Sequence, residues 1–356
     1  MNIDSLFKYN PLKFKKKFKK QFFLSFQKSL TKFHYERCYE YKKILNSKSI
    51  KILKIKKLEQ IPFLPSKIFK DYSLKSIQNK QIVKIMNSSG TSNNNLSKII
   101  LDKNTSINQI KVLSKLVKSV IGDSRLPMII IDSKSVITDR TRFSARVAGI
   151  LGFSNFSKDT LFALNENMKL DYDNFLKFLK KYKNQKILIF GFTYLIYENF
   201  LQDLIKNEKK IDLSKTIMIH GGGWKKLANL NISNKEFKSK LKKITKINKI
   251  YNYYGMVEQT GSIFIECSEG NFHTSLFNDI IIRNNTNLKV NKTGEKGIIQ
   301  IFSLIPKSYP GHSILTEDEG IILGEGDCAC GIKSKYFNVL GRMENSEIRG
   351  CSDVYQ

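Results

Sequence analysis

What most constrains this chain is a change of period, repeated several times between residues 107 and 265. The apolar runs Met128–Ile131, Ile187–Phe190, Ile217–Ile219 and Ile263–Ile265 are short and rich in Ile, so they predict strands. Between them, Ile107–Val120, Tyr172–Tyr182 and Glu236–Lys246 repeat their apolar residues at the helical period. Strands that alternate with helices predict an α/β fold of layered sheets covered on both faces. From about residue 279 the pattern becomes one of short strands separated by Gly and Asn turns, in Ile280–Arg283, Gly297–Phe302 and Gly320–Leu323. That predicts a β-rich closing subdomain.

Residues 1–60 read differently. Phe14, Phe18, Phe22, Phe23, Phe26, Leu30 and Phe33 recur among lysines at near-helical spacing, which predicts a basic amphipathic helical region. Two readings compete: a cap that packs its Phe stripe on the main domain, or a face that makes peripheral contact with an anionic membrane. His34 and Cys38, one helical turn apart, read as packing residues. The net charge of +30 invites a third idea, nucleic-acid binding, but only eight of the 61 basic residues are Arg and the lysines are spread along the whole chain. Lys, Asn and Ile are abundant together, as an A/T-biased coding sequence produces, and nucleic-acid readers lean on Arg forks. No nucleic-acid partner is therefore expected. No run approaches the ~18 uninterrupted apolar residues of a membrane span. With no secretory pattern at Met1 and an odd number of cysteines, five, a reduced cytoplasmic protein is the expectation.

The chemistry-bearing stretches come in a fixed order. Ser88-Ser89-Gly90-Thr91-Ser92-Asn93-Asn94-Asn95-Leu96-Ser97-Lys98 lies between two apolar runs and predicts a polar loop joining two strands. Its hydroxyls and backbone N–H groups suit an oxyanion, Gly90 permits positive φ, and Lys98 adds charge. The same composition also suits a plain solvated hairpin. His220-Gly221-Gly222-Gly223-Trp224 follows a predicted strand, where three glycines let a flat ring approach the backbone. Tyr253–Ser262 predicts a turn with a single carboxylate, Glu258, fit for a Mg²⁺ that also holds phosphate oxygens. A Thr316-Glu317-Asp318-Glu319-Gly320 turn offers acceptors for ribose hydroxyls, and Leu340-Gly341-Arg342 follows.

A separate set needs no order. In Cys267-Ser268-Glu269-Gly270-Asn271-Phe272-His273, a Glu-Gly-Asn hairpin loop predicts Cys267 directly opposite His273. Cys328-Ala329-Cys330 puts two thiols on one face of an extended segment. Together they make a Cys₃His set of the number and softness of a closed structural zinc site, against the plainer reading of four reduced side chains.

The succession S-S-G-T-S with Lys98, Gly-Gly-Gly, Y-G-x-x-E, the Asp of T-E-D-E-G and G-R resembles that of the adenylate-forming acyl/aryl ligase superfamily. Within it, Ser88–Asp102, Phe190–Tyr197, Tyr254–Ser262 and Gly341–Asp353 resemble the acyl-protein synthetases of the LuxE type, from about Leu58 to the C-terminus. The resemblance implies an adenylate-forming large domain over residues 61–340 and a hinge with a short tail over 341–356. It implies ATP-dependent activation of a carboxylic, typically fatty, acid to an acyl-adenylate and transfer to a protein thiol, with an acceptor protein such as a reductase or transferase. Ser88, Ser89, Gly90, Thr91, Ser92 and Lys98 fall on the phosphate loop. Gly221, Gly222, Gly223, Tyr254 and Gly255 fall on the adenine-contacting positions, Glu258 on the Mg²⁺ ligand, Asp318 on the ribose-binding Asp, and Arg342 on the hinge Arg. A Cys near the C-terminus carries the acyl group in that family, which points to Cys351.

Three departures accompany the resemblance. Asn93 and Asn94 stand where the loop usually has a second Gly, and Val257 stands where the superfamily has a phosphate-touching Thr. The chain also ends 14 residues after Arg342, leaving the usual lid domain and its lysine without a counterpart. An acyl- or aryl-CoA ligase of the phenylacetate-CoA ligase type shares the first half-reaction and is the enzymatic alternative. A non-catalytic basic protein that binds membrane or nucleic acid is the alternative of another class.

Overall fold

The computed structural model describes residues 2–88, 96–138, 145–222 and 232–343. These fall into two compact units. One combines residues 1–88, 95–117 and 254–347; the other is built chiefly from 118–253.

The second unit is the α/β part. Its strands Ser157–Leu164, Leu126–Ser133, Ile187–Phe192, Thr216–Gly221 and Lys249–Gly255 lie side by side in that order, all parallel. Parallel strands must be covered on both faces, which is why Met128–Ile131 and Leu188–Phe190 are fully buried. The helices Tyr172–Lys181 and Asn234–Thr245 supply Phe175, Phe178, Phe237 and Leu241 to the cluster that buries Ile129, Ile189 and Met218. Ser233 and Glu236 cap the second helix reciprocally, its side chain and backbone satisfying two otherwise orphaned donors. The predicted strands and helices of this region are present. Sequence periodicity did not mark the strand Ser157–Leu164, whose first residues, Ser157-Lys158-Asp159-Thr160, are polar.

The first unit holds an antiparallel sheet ordered Phe272–His273, Lys335–Arg342, Ser313–Glu325, Lys296–Ser303 and Asn278–Arg283. Leu64–Pro65 adds a short parallel pairing along the Ser313–Glu325 strand. Acidic Thr316–Gly320, predicted as a turn, lies inside that 13-residue strand. Cross-strand pairing overrides the low β-propensity of consecutive acidic residues, and the register against Lys335–Arg342 shifts directly after them, between Glu319 and Gly320.

The N-terminal region belongs to this unit. Helix Lys16–Arg37 buries Phe22, Phe23, Leu30 and His34, so its apolar stripe is occupied by the protein itself, as in the cap reading. Lys19 is buried with it. Its ammonium bonds the Asn278 carbonyl at 2.7 Å, pairs with Asp279 at 3.1 Å and lies 5.1 Å from the Phe23 ring. Further along, the ring of His34 stacks on that of His312 with centroids 5.0 Å apart. Ser76 Oγ lies 2.7 Å from His34 Nδ1, and Thr31 Oγ1 lies 3.0 Å from His312 Nε2.

This stacked pair makes stability depend on pH. Burial is the leading cause that lowers His34 to about 3 and His312 well below its ordinary value, with Arg37 and Lys307 adding repulsion to His34. A histidine held neutral in the fold but free to protonate when unfolded contributes stability that is present above about pH 6.5 and is lost as pH falls. Denaturant unfolding should show stability declining from pH 7 to pH 5, by up to ~1.4 kcal/mol per pH unit for each histidine. Replacing both with neutral Gln should flatten that slope; an unchanged slope would contradict the assignment.

Candidate functional site

In the first unit, three of the residues singled out from the sequence meet: Asp318 and Arg342 on adjacent antiparallel strands, with the Tyr254 hydroxyl reaching them. Tyr254, the penultimate residue of the Lys249–Gly255 strand and the point at which the chain passes into the first unit, donates its hydroxyl to Asp318 Oδ2 at 2.7 Å. Asp318 and Arg342 are direct cross-strand partners, with the guanidinium Nε 3.5 Å from Asp318 Oδ1 and Nη1 3.2 Å from Glu317 Oε2. Lys67 Nζ completes the group 3.1 Å from Glu317 Oε1. The Tyr254 ring rests on the apolar cluster of Phe264, Phe272 and Phe337. Burial, then the Asp318 carboxylate, raises its phenol pKa, so Tyr254 is a neutral donor across the physiological range. A carboxylate with its geometry set by a phenol and a guanidinium is an acceptor of fixed direction, suited to a pair of hydroxyls. Lys67 and Glu317 were not singled out from the sequence. Glu317 adjoins Asp318 and was legible; Lys67 carried no signal.

Glu258 follows at the head of the loop after Gly255 and is buried. Its own carbonyl accepts from the Tyr309 hydroxyl at 3.0 Å, which also accepts from the backbone N–H of Thr260 at 3.0 Å. The backbone is thereby fixed while the carboxyl has no ion pair within 4 Å among the described residues. Burial pushes its pKa up, against the opposing influence of its own backbone, the Ser97 hydroxyl and the Arg342 guanidinium. A buried carboxylate oxygen is the kind of donor a hard divalent ion takes, so Glu258 fits a Mg²⁺ ligand.

The segments on either side of the predicted polar loop are strands, Lys84–Asn87 and Lys98–Leu101, which pair antiparallel. Its base is closed by Ser88 N donating to the Ser97 carbonyl at 3.1 Å and Ser97 N donating to Ser88 Oγ at 3.0 Å. Lys98 lies opposite Asn87 with its side chain exposed. Ser89, Gly90, Thr91 and Ser92 lie outside the described residues, as do Gly223 and Cys351.

In the second unit, Gly221 ends the Thr216–Gly221 strand opposite Tyr253. A Cβ there would stand 2.3 Å from the Tyr253 ring and 2.6 Å from its carbonyl oxygen, so the ring that approaches this glycine is the protein's own. Gly222 has φ +63°, where a glycine is least strained. Gly221→Ala should lower thermal stability by about 1–3 kcal/mol, the usual range for overpacking. Tyr253→Ala in the same chain should restore part of the loss, as thermal unfolding would read; a single variant of wild-type stability would rule out the close packing.

Two features of this unit were not anticipated. Arg146 grips Asp132 in a buried bidentate pair, with Nε 2.7 Å from Oδ2 and Nη2 on Oδ1. The residues are 14 apart and no local pattern links them. The helical stretch after Phe192 contains a π-turn over Ile196–Leu201, a rare form that sequence periodicity does not register.

The Cys₃His residues also come together, all in the first unit: one ligand atom from each of Cys267, His273, Cys328 and Cys330 lies within 4.8 Å of the others. The local reasons differ from expectation. The turn is Ser268-Glu269-Gly270, closed by Gly270 N donating to the Cys267 carbonyl at 3.0 Å with Gly270 at φ +75°. Glycine takes the left-handed last position, so Glu266 pairs with Phe272, and Cys267 faces Asn271 instead of His273. Cys328 and Cys330 belong to a turn closed by Gly331 N donating to the Cys328 carbonyl at 3.0 Å, not to an extended segment.

No helix among the described residues is long and apolar enough to cross a membrane. A sequence model of the family described as "Acyl-protein synthetase, LuxE" matches residues 1–356. The long-chain-fatty-acid–luciferin-component ligase of Aliivibrio fischeri is 23% identical over 333 residues, covering 90% of this chain and 84% of that protein. Solved structures of 2-hydroxyisobutyryl-CoA ligase are similar in fold. The postadenylation state with 2-HIB-AMP aligns with a TM-score of 0.70 at 11% identity, over 91% of this chain and 68% of that one. An open conformation with 2-HIB-AMP and CoA gives 0.70 at 12%, over 93% and 76%.

Proposed function

This chain belongs to the acyl-protein synthetase family of adenylate-forming ligases, and on that premise we propose that it activates a long-chain fatty acid with ATP and passes the acyl group to a protein thiol. In the first step a carboxylate oxygen attacks the α-phosphorus of ATP. The new acyl–phosphate bond forms as the bond to the bridging oxygen breaks and pyrophosphate leaves. In the second step a thiolate attacks the acyl carbon, a thioester forms, and AMP departs with the electron pair of the broken C–O bond.

The observation that supports this reading most directly is the joining of Tyr254, Asp318 and Arg342. Asp318, oriented by the other two, would accept from the ribose hydroxyls. Glu258 would hold Mg²⁺, which when bound neutralises charge on the phosphates. The hydroxyls and N–H groups of residues 88–92, with Lys98, would bind phosphate oxygens, and Arg342 would move with the hinge. Catalysis on this reading is mostly positioning and charge stabilisation. The fatty-acid specificity rests on the luciferin-component ligase; the first thiol acceptor would be Cys351 of this chain, and a partner protein such as a reductase or transferase would take the acyl group from it.

ATP–pyrophosphate exchange with straight-chain acids of increasing length tests it. Exchange should require an acid and favour long chains, and labelled acid should then enter hydroxylamine-labile acyl-protein. Exchange with no acid in the panel would overturn the activity. Production of acyl-CoA without acyl-protein would move the chain to the CoA-ligase reading.

A further inference from the structure

We propose that Cys267, His273, Cys328 and Cys330 are the four ligands of a structural zinc ion. With Zn–S near 2.3 Å and Zn–N near 2.0 Å, a tetrahedral site separates two sulfurs by about 3.8 Å and a sulfur from a nitrogen by about 3.5 Å. Here Cys267 Sγ lies 3.9 Å from Cys328 Sγ, and Cys330 Sγ lies 3.3 Å from His273 Nε2. The two spacings are those of a shared ion. A disulfide between Cys267 and Cys328 needs sulfurs at about 2.05 Å and leaves the second contact unexplained.

The surroundings are those of bound thiolates and an oriented imidazole. His273 Nδ1 lies 3.3 Å from Ser334 Oγ, and its ring stacks on Tyr336, which turns Nε2 towards the sulfurs. The Ile332 backbone N–H donates to Cys330 Sγ at 3.5 Å, and the Asn271 amide donates to Cys328 Sγ at 3.7 Å. Cys267, His273 and Cys328 are buried and Cys330 is partly so, leaving no open coordination position for chemistry. Three thiols and one imidazole complete four-coordination without water, the mark of a closed site.

The fold also needs such a staple there. Phe272–His273 is a two-residue edge strand, and the segment from Gly326 to Ser334 that carries Cys328 and Cys330 has little apolar burial of its own. The ion joins that segment, which connects Ser313–Glu325 to Lys335–Arg342, to the turn after Cys267. The opposite ends of the same two strands bring Asp318 and Arg342 together. This inference does not depend on the fatty-acid reading.

Protein purified without chelators should contain about one zinc per chain by mass spectrometry of metals, and a strong chelator should remove it with a fall in melting temperature. The His273→Ala, Cys330→Ala double variant should fall to a small fraction of that content, while Cys38→Ala should retain it. Should the double variant not fold, cobalt exchange into wild type provides the second reading, as tetrahedral thiolate ligation gives intense visible and sulfur-to-cobalt absorption. Folded wild-type protein without metal, stoichiometric iron in place of zinc, zinc retained by a folded double variant, or a cobalt spectrum lacking thiolate ligation would each overturn the proposal.

Discussion

Glu258→Gln should lower acid-dependent ATP–pyrophosphate exchange by roughly a hundredfold or more, the scale seen when a group that meets transition-state charge is removed. The substitution keeps shape and hydrogen-bonding capacity but removes the charge that would hold a divalent ion. ATP should still bind in the absence of metal, whereas the strengthening of ATP binding by Mg²⁺, read by calorimetry, should disappear. Thermal stability separates this from damage to the fold. Burial already disfavours the charged form of Glu258, and its backbone is held by Tyr309 regardless of the side chain. The variant should therefore melt at or slightly above the wild-type temperature. Exchange and Mg²⁺ dependence like those of wild type would remove Glu258 from the metal-holding role.

The parts of the fold legible in the sequence are those where one residue class dominates a short window. Met128–Ile131 and Ile217–Ile219 sit in parallel strands buried on both faces, so continuous Ile and Met runs announced them. Thr316–Gly320 misled because strand pairing, which sequence does not display, outweighs the preference of acidic residues for turns. The Cys₃His set was legible as a composition even though both local geometries came out differently. Gly270 takes the left-handed corner and shifts the register, while Cys328 and Cys330 converge through a turn. Long-range pairs were beyond reach for a simpler reason. Asp132 with Arg146 and Lys19 with Asp279 depend on how separate elements dock, and a lone buried Lys gives no signal in a chain this rich in lysine. Tyr254, Asp318 and Arg342 were found individually, through resemblance; that Asp318 faces Arg342 is a property of the antiparallel register, and Tyr254 joins them by a hydrogen bond between residues 64 apart.

Cys351→Ser should abolish hydroxylamine-labile acyl-protein formed from labelled fatty acid and ATP, while acid-dependent exchange persists. The two half-reactions separate because adenylate formation needs no thiol, whereas a serine hydroxyl is a far weaker nucleophile at neutral pH than a thiolate. Among the five cysteines, Cys267, Cys328 and Cys330 are committed to the proposed metal cluster. Cys38 is buried, and burial pushes its thiol pKa to about 11, which suppresses the thiolate. That leaves Cys351, which follows Arg349 and Gly350 in sequence. The acyl-protein synthetases carry their acyl group on a cysteine near the C-terminus, in agreement with this choice. A Cys38→Ser control should label like wild type, so that general loss of a thiol is distinguished from loss of the carrier. Continued thioester labelling of the Cys351→Ser chain would place the acyl group on another cysteine, and loss of exchange together with labelling would assign Cys351 a part in adenylation instead.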